Sequence, residues 1–128
     1  MITNYKIFET ITSPDLIMAV KSNKSIKVKT LINAGLDVNC TDNMEWTPLL
    51  WAVYMKNTTM IKMLIDAGAD MHYKAYHYIK GTKDLVDFYD LAVAKEYHEG
   101  TYSFNYKGVI TWIEKNYPEF VAAKKYNL

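Results

Sequence analysis

His72, His77 and His98 are the three imidazoles of the chain, and Cys40 is its one thiol. Base, nucleophile or metal chemistry would have to rest on them. His72 and His77 stand five residues apart, whereas two imidazoles sharing a helix face need a separation of about four. A single thiolate builds neither a thiolate zinc site nor an internal disulfide. A Cys40–His72 nucleophile pair would need a third group to orient the base and a cradle for an oxyanion, and neither is visible. A lone cysteine is most simply a packing residue. Asp84, Asp87 and Asp90 recur every third residue. On a helix they would line one face, either for a basic partner or as a solvated surface with Asp84 near the N-cap. Gly81 and Gly108 are isolated, so no glycine-rich phosphate loop exists. The expectation is a protein with no catalytic residues, no metal and no cofactor.

The elements that would position these groups come from a repeat. Shifted by 33 residues, "TLINAGLDVNC" (30–40) falls on "MLIDAGADMHY" (63–73). Under the same shift Leu16 meets Leu49, Ala19 meets Ala52, Val20 meets Val53 and Val28 meets Ile61. A period near 33 points to stacked repeats. Within each unit, Leu49, Ala52 and Val53 form one helical stripe, and Met60, Ile61, Leu64 and Ile65 a second. Thr47-Pro48 is a helix start: threonine can cap a free amide, and proline at the first helical position lacks only a donor that would be orphaned. Gly35 and Gly68 follow the second helix, where the chain must turn at positive φ. Asn23 and Lys56 fall at the tight link between helices, a left-handed position that suits asparagine better than lysine.

These residues resemble the ankyrin repeat. "DNMEWTPLLWAV" stands where that family has D-x-x-G-x-T-P-L-H-x-A-A, and "MIKMLIDAGADMH" where it has I-V-x-L-L-x-x-G-A-D-V-N. Glu45 replaces a family glycine, Leu50 the histidine, Lys56 a second glycine and Leu36 an alanine. Because Leu50 cannot make the histidine's backbone hydrogen bonds, a more mobile turn is expected there. The resemblance implies an all-α ankyrin-repeat solenoid of about three helix-turn-helix repeats in one domain. An N-terminal cap segment (1–13) leads into repeat 1 (14–39) and repeat 2 (40–72). An irregular, elongated repeat 3 (73–116) and a C-terminal capping helix (117–128) follow. In repeat 3, "YDLAVAKEY" matches the first helix, with Leu91 on Trp51. About seven extra residues precede it in "YKAYHYIKGTKDLVDF". "GVITWIEKN" matches the second helix after a further insertion in "KEYHEGTYSFNYK". Pro118 opens the capping helix, whose removal is expected to bare the face carrying Trp112.

Bulk properties narrow the function. A chain of 128 residues with 50 % hydrophobic residues can bury a core without staples. A net charge of +1, with all fifteen basic residues lysine, argues against a general nucleic-acid binder. No signal peptide and no apolar run of about 18 residues are visible, so no membrane partner and a reduced cytoplasmic setting are expected.

The aromatic load then becomes the functional question. By the family register, Asn43, Met44, Trp46, Trp51, Tyr54 and Met55 point outward, and all but Asn43 are aromatic or methionine. Aromatic anchors dominate protein-binding hot spots. One account makes Trp46, Trp51, Tyr54 and Met55 the centre of a partner interface, flanked by Met18, Met44 and Lys95. Met18 and Leu91 would line a concave groove beside Trp51. Tyr76, His77 and Tyr78 in the insertion would add binding fingers. The other account folds Tyr73, Tyr76, His77 and Tyr78 back over Trp46 and Trp51 as a lid. The resemblance and the patch together imply a non-enzymatic module, monomeric when free, that binds and masks or inhibits one partner protein. A bacterial immunity protein neutralising a toxin is one such setting. The alternative is an effector of an intracellular bacterium or virus that redirects a host protein.

Overall fold

The computed structural model describes residues 13–79, 82–99 and 106–126. Within helices and strands it describes the backbone alone for Ser13, Ile79, Thr82 and residues 96–99. The N-terminal segment before Ser13, Gly81, the His98 side chain and the second insertion over 100–105 therefore lie outside the described residues. The chain divides after Met71 into two compact units. The architecture is that of ankyrin repeats: among the described residues it is helical apart from one two-stranded sheet.

The first unit holds two helix pairs: α1 (Ser13–Lys21) with α2 (Ser25–Asn33), and α3 (Pro48–Tyr54) with α4 (Thr58–Asp66). The 33-residue register is a register of burial. Leu16 and Leu49, Ala19 and Ala52, Val20 and Val53, Val28 and Ile61, and Leu31 and Leu64 are all core residues. Each large aliphatic among them contributes about 1.5–3 kcal/mol when fully removed from water. The helix starts follow the sequence signals. Thr47 Oγ1 accepts from the Leu50 N–H at 3.4 Å with Pro48 in the first turn, and Asn57 Oδ1 accepts from the Met60 N–H at 3.0 Å.

The turns between helices are left-handed where the repeat requires it. Asn23 (φ 58) and Lys56 (φ 60) end the first helix of each pair, and Gly35 (φ 94) and Gly68 (φ 101) the second. A Cβ at Gly68 would touch nothing within 4 Å, so backbone conformation alone calls for glycine there. Two stitches tie the repeats together. Asn57 Nδ2 donates to Asn23 Oδ1 at 3.1 Å across the interhelix links. At the other end, Asn39 Nδ2 donates to the Gly68 carbonyl at 3.2 Å, and Asn39 Oδ1 accepts from the Asp70 N–H at 2.8 Å.

The second unit opens with an antiparallel hairpin, β1 (Ala75–Ile79) and β2 (Thr82–Val86), with Tyr76 opposite Leu85 and Tyr78 opposite Lys83. Helices α5 (Phe88–Glu99), α6 (Tyr106–Asn116) and α7 (Pro118–Lys125) follow. Their core is Phe88, Leu91, Ala92, Tyr106, Val109, Ile113 and Phe120, with Ala75 and Val86 from the hairpin.

Two expectations are corrected here. The acidic cluster does not share a helix face: Asp84 lies on β2, Asp87 precedes α5, and only Asp90 is helical. Asp87 is the cap. Its Oδ1 accepts from the Tyr89 and Asp90 N–H groups at 3.0 and 2.9 Å, and Asp90 Oδ2 accepts in return from the Asp87 N–H at 3.2 Å. Such a reciprocal arrangement satisfies amides that the first turn would otherwise orphan. The insertion ahead of α5 is a hairpin because "AYHYI" and "TKDLV" can pair their backbone groups, which a loop would leave to water. Helix α7 docks through Phe120, whose ring meets Phe88 and His72 at 5.2 Å each. Trp112 meets Tyr117, the residue that precedes α7 as its cap, edge-on at 5.8 Å.

Candidate functional site

Asp42 organises the turn between the two repeats of the first unit. Its backbone closes the turn twice, the Glu45 N–H donating to the Asp42 carbonyl at 2.9 Å and the Asp42 N–H to the Trp46 carbonyl at 3.1 Å. Its carboxylate then collects three donors. Oδ1 accepts from the Met44 and Trp46 N–H groups at 2.9 and 3.0 Å, and Oδ2 accepts from Trp51 Nε1 at 2.7 Å. Bonds to an ionised acceptor are among the stronger neutral-donor contacts. Asp42 thereby anchors the turn that Leu50 was expected to leave mobile. Leu50 is buried at 1 % exposure and packs in the core. Glu45, in place of the family glycine, holds φ 62, a strained position for a residue with a Cβ.

The closed turn decides where the aromatics go. Trp46 is drawn inward and is only 3 % exposed, so the outward assignment from register is wrong for this residue. Its backbone is pinned to Asp42 on both sides, leaving the indole to pack against Trp51 (4.8 Å between centroids) and Tyr54 (6.0 Å). Trp51 is half-buried. Tyr54 meets it edge-on at 5.4 Å, and the Lys21 ammonium stands 4.4 Å from its ring centroid. A cation over an indole face is favourable in itself.

Beside this cluster lies a concave site of about 410 Å³ between α1 and the turn over 41–46. Trp51 forms part of its wall together with Ile17, Met18 and Met44, and Lys21 and Asp42 add charge of both signs. Met18 and Met44 are 62 % and 55 % exposed. Two flexible, polarizable side chains thus flank a rigid indole. Tyr54 is exposed at the edge of the cluster, and Met55 is half-buried as the residue ending α3. Lys21 and Asp42 were not among the residues singled out from the sequence. The Trp51 indole N–H needs an acceptor wherever it is withdrawn from water, and an aspartate nine residues earlier was the available signal.

The remaining sequence-derived residues fall in the second unit. Tyr76 and Tyr78 are exposed on β1, with the Lys83 ammonium 3.9 Å from the Tyr76 ring centroid, and His77 is half-buried. Lys95 is half-buried, 6.0 Å from the Tyr106 ring centroid. Leu91 was expected to line a groove, but it is fully buried. Although it occupies the Trp51 position behind the cap, α5 turns that position into its own core.

Three carboxylates of this unit, Asp87, Asp90 and Glu114, are engaged internally. Lys124 Nζ lies 2.6 Å from Asp87 Oδ2 and 3.0 Å from Asp90 Oδ1. Burial pulls the ammonium's pKa down, but hydrogen bonds and charge from both aspartates outweigh that and hold it above its ordinary value. Tyr89 Oη donates to Glu114 Oε1 at 2.9 Å. Burial, helped by that bond and the neighbouring carboxylates, pushes the phenol up to about 12. Among the described residues no group of three or more His, Cys, Asp or Glu could hold a metal ion. No described helix is long and apolar enough to cross a membrane. Cys40 is buried in the first unit, while the His72 ring packs on Phe120 in the second.

The chain is similar to known proteins. A family model described as ankyrin repeats (3 copies) matches residues 12–75, half of the chain. An ankyrin repeat protein of fowlpox virus is 36 % identical over 66 residues, 51 % of this chain and 13 % of the viral protein. The human mitochondrial disaggregase is 34 % identical over 55 residues, 43 % of this chain and 8 % of that protein. An ankyrin repeat protein of Borreliella burgdorferi is 30 % identical over 56 residues, 44 % of this chain and 26 % of its own length. The chain thus spans a small part of the curated relatives it matches. With its caps, left-handed turns and buried register at the positions that the family repeats, the chain belongs to the ankyrin-repeat family.

Proposed function

We propose that the first unit binds one partner protein in the groove between α1 and the 41–46 turn, and acts by occupying and masking that partner. The family is generally one of protein-interaction modules. The observation that supports this groove is the pairing of exposed Met18 and Met44 around an indole fixed by Asp42. A pre-organised aromatic wall gives up little rotamer freedom on binding, and the methionines adapt to what enters. Lys21 and Asp42 provide polar contacts at the rim. Action by occupancy needs no reacting group. Where the partner is a toxin, the protein serves as its immunity factor; where it is a host protein, as an effector.

A photo-activated cross-linking residue placed at Met44 tests this directly in the source cell, with the same residue at exposed Lys62 on α4 as control. The expected result is one protein adduct from position 44 that position 62 does not yield. Identical adducts from both positions, or none from position 44, would refute the assignment.

A further inference from the structure

The first unit is electrically polar along its helices. From Leu16 to Leu36 the chain contains no carboxylate and four lysines, Lys21, Lys24, Lys27 and Lys29. The interhelix link carries Lys24, the first turn of α2 carries Lys27, and Lys29 stands two residues further along; all three are exposed. The Asn57–Asn23 bond brings the second link, with exposed Lys56, to the same end of the unit. Among the described residues none of Lys24, Lys27 and Lys29 stands in an ion pair. Asp37, Asp42, Glu45 and Asp70 all lie in the turns at the opposite end. Between Lys24 and Lys27 in the chain stands Ile26, 85 % exposed, the most exposed large hydrophobic side chain among the described residues.

We propose that this end of the first unit docks on an anionic lipid bilayer, with the lysines at the headgroups and Ile26 inserted between them. The arrangement fits this occupant by charge and by shape. Each lysine near an anionic leaflet contributes favourably, and such contributions are lost with added salt. An exposed isoleucine with exposed lysines on both sides of it in the chain needs an apolar layer immediately behind the anionic one, which a bilayer interface provides. Nucleic acid is the poorer fit. Its phosphates would satisfy the lysines, but the patch has no arginine and no aromatic ring on which a base could stack. Docking would be peripheral and reversible, distinct from a membrane span, and would leave the acidic turns and Met44 pointing away from the surface. The inference is independent of the groove.

Flotation of the full chain with phosphatidylcholine vesicles, with and without about a third phosphatidylserine, tests it. We expect binding to the anionic vesicles at low salt, at least about tenfold weaker on phosphatidylcholine alone and at high salt. Lys24→Glu with Lys27→Glu should abolish it, and Ile26→Ser should weaken it about fivefold. Melting temperatures should stay unchanged, because all three side chains are exposed. Met18→Ala with Met44→Ala should leave flotation intact, separating this surface from the groove. Equal binding to both vesicle types, no binding to either, or indifference to Ile26→Ser would overturn the proposal. Single-stranded poly(dT) bound as tightly as the anionic vesicles would assign the patch to nucleic acid instead.

Discussion

Helices α3 and α5 begin at the same place in the repeat and are capped by side chains 40 residues apart, Thr47 and Asp87. Each side chain accepts from the amide three residues on, so the cap is the shared feature. What stands behind it differs. Pro48 opens α3, and the following helix leaves Trp51 half-buried at a groove. Phe88 opens α5, and the same position, Leu91, is sealed in the core. A neutral hydroxyl suffices for the first cap, whereas the second is an ionic knot with Lys124 of the last helix. One repeat frame thus builds a surface in one unit and a closed core in the other, and the choice is made by residues the frame leaves free.

The sharpest break in the comparison should come from the second core. Phe120→Ala removes the ring that meets Phe88 and His72, and should cost about 3–4 kcal/mol in urea unfolding. Met18→Ala or Met44→Ala should cost far less, because both side chains are exposed.

The caps themselves should separate next. Asp87→Ala loses a cap and leaves Lys124 without its nearest carboxylate, for about 2–4 kcal/mol. Thr47→Ala should cost about 1 kcal/mol. Equal losses from the two variants would show that the Lys124 knot contributes nothing beyond capping.

Alkaline titration sharpens the same contrast. The Tyr89 phenol is pushed up to about 12 in the fold from an ordinary value of 10.0. The unfolded chain therefore releases this proton first, and stability falls as pH rises. The contribution is fully present below about pH 10 and lost by about pH 12, amounting to no more than about 1–2 kcal/mol after screening. Tyr89→Phe should flatten that part of the pH profile, and Trp51→Phe should not.

The smallest effect should be a gain. Glu45 sits at φ 62 where the family has glycine. Glu45→Gly should relieve left-handed strain, partly offset by the greater freedom of glycine when unfolded. The expected gain is about 0.5 kcal/mol, read as a rise in melting temperature.

Much of this was legible in the sequence. The 33-residue shift identified the buried pairs residue by residue, because core positions must recur for stacked repeats to fit. Thr47-Pro48, Gly35, Gly68 and Pro118 announced their caps and turns through backbone rules that need no tertiary context. Trp46 was misread because register assigns a direction to a position, whereas Asp42 redirects the backbone through contacts that no periodicity records. The hairpin was missed for a similar reason. An alternating "AYHYI" beside an isolated glycine is a strand signal, but the three aspartates at helical spacing competed with it. Lys124 could not be paired with Asp87 from spacing alone, since 37 residues separate them.

In the proposed groove Trp51 is the structural wall, and Met18 and Met44 are the adaptable lips. Melting and partner affinity measured together on Trp51→Ala and on the Met18→Ala, Met44→Ala double variant test it most directly, using the protein cross-linked at position 44. Trp51→Ala should lose about 2–4 kcal/mol of stability, because the indole holds Asp42, Trp46 and Tyr54 together. The double methionine variant should keep its melting temperature and lose about 2 kcal/mol of binding. A double variant that binds at full affinity, or one that melts early, would contradict the groove.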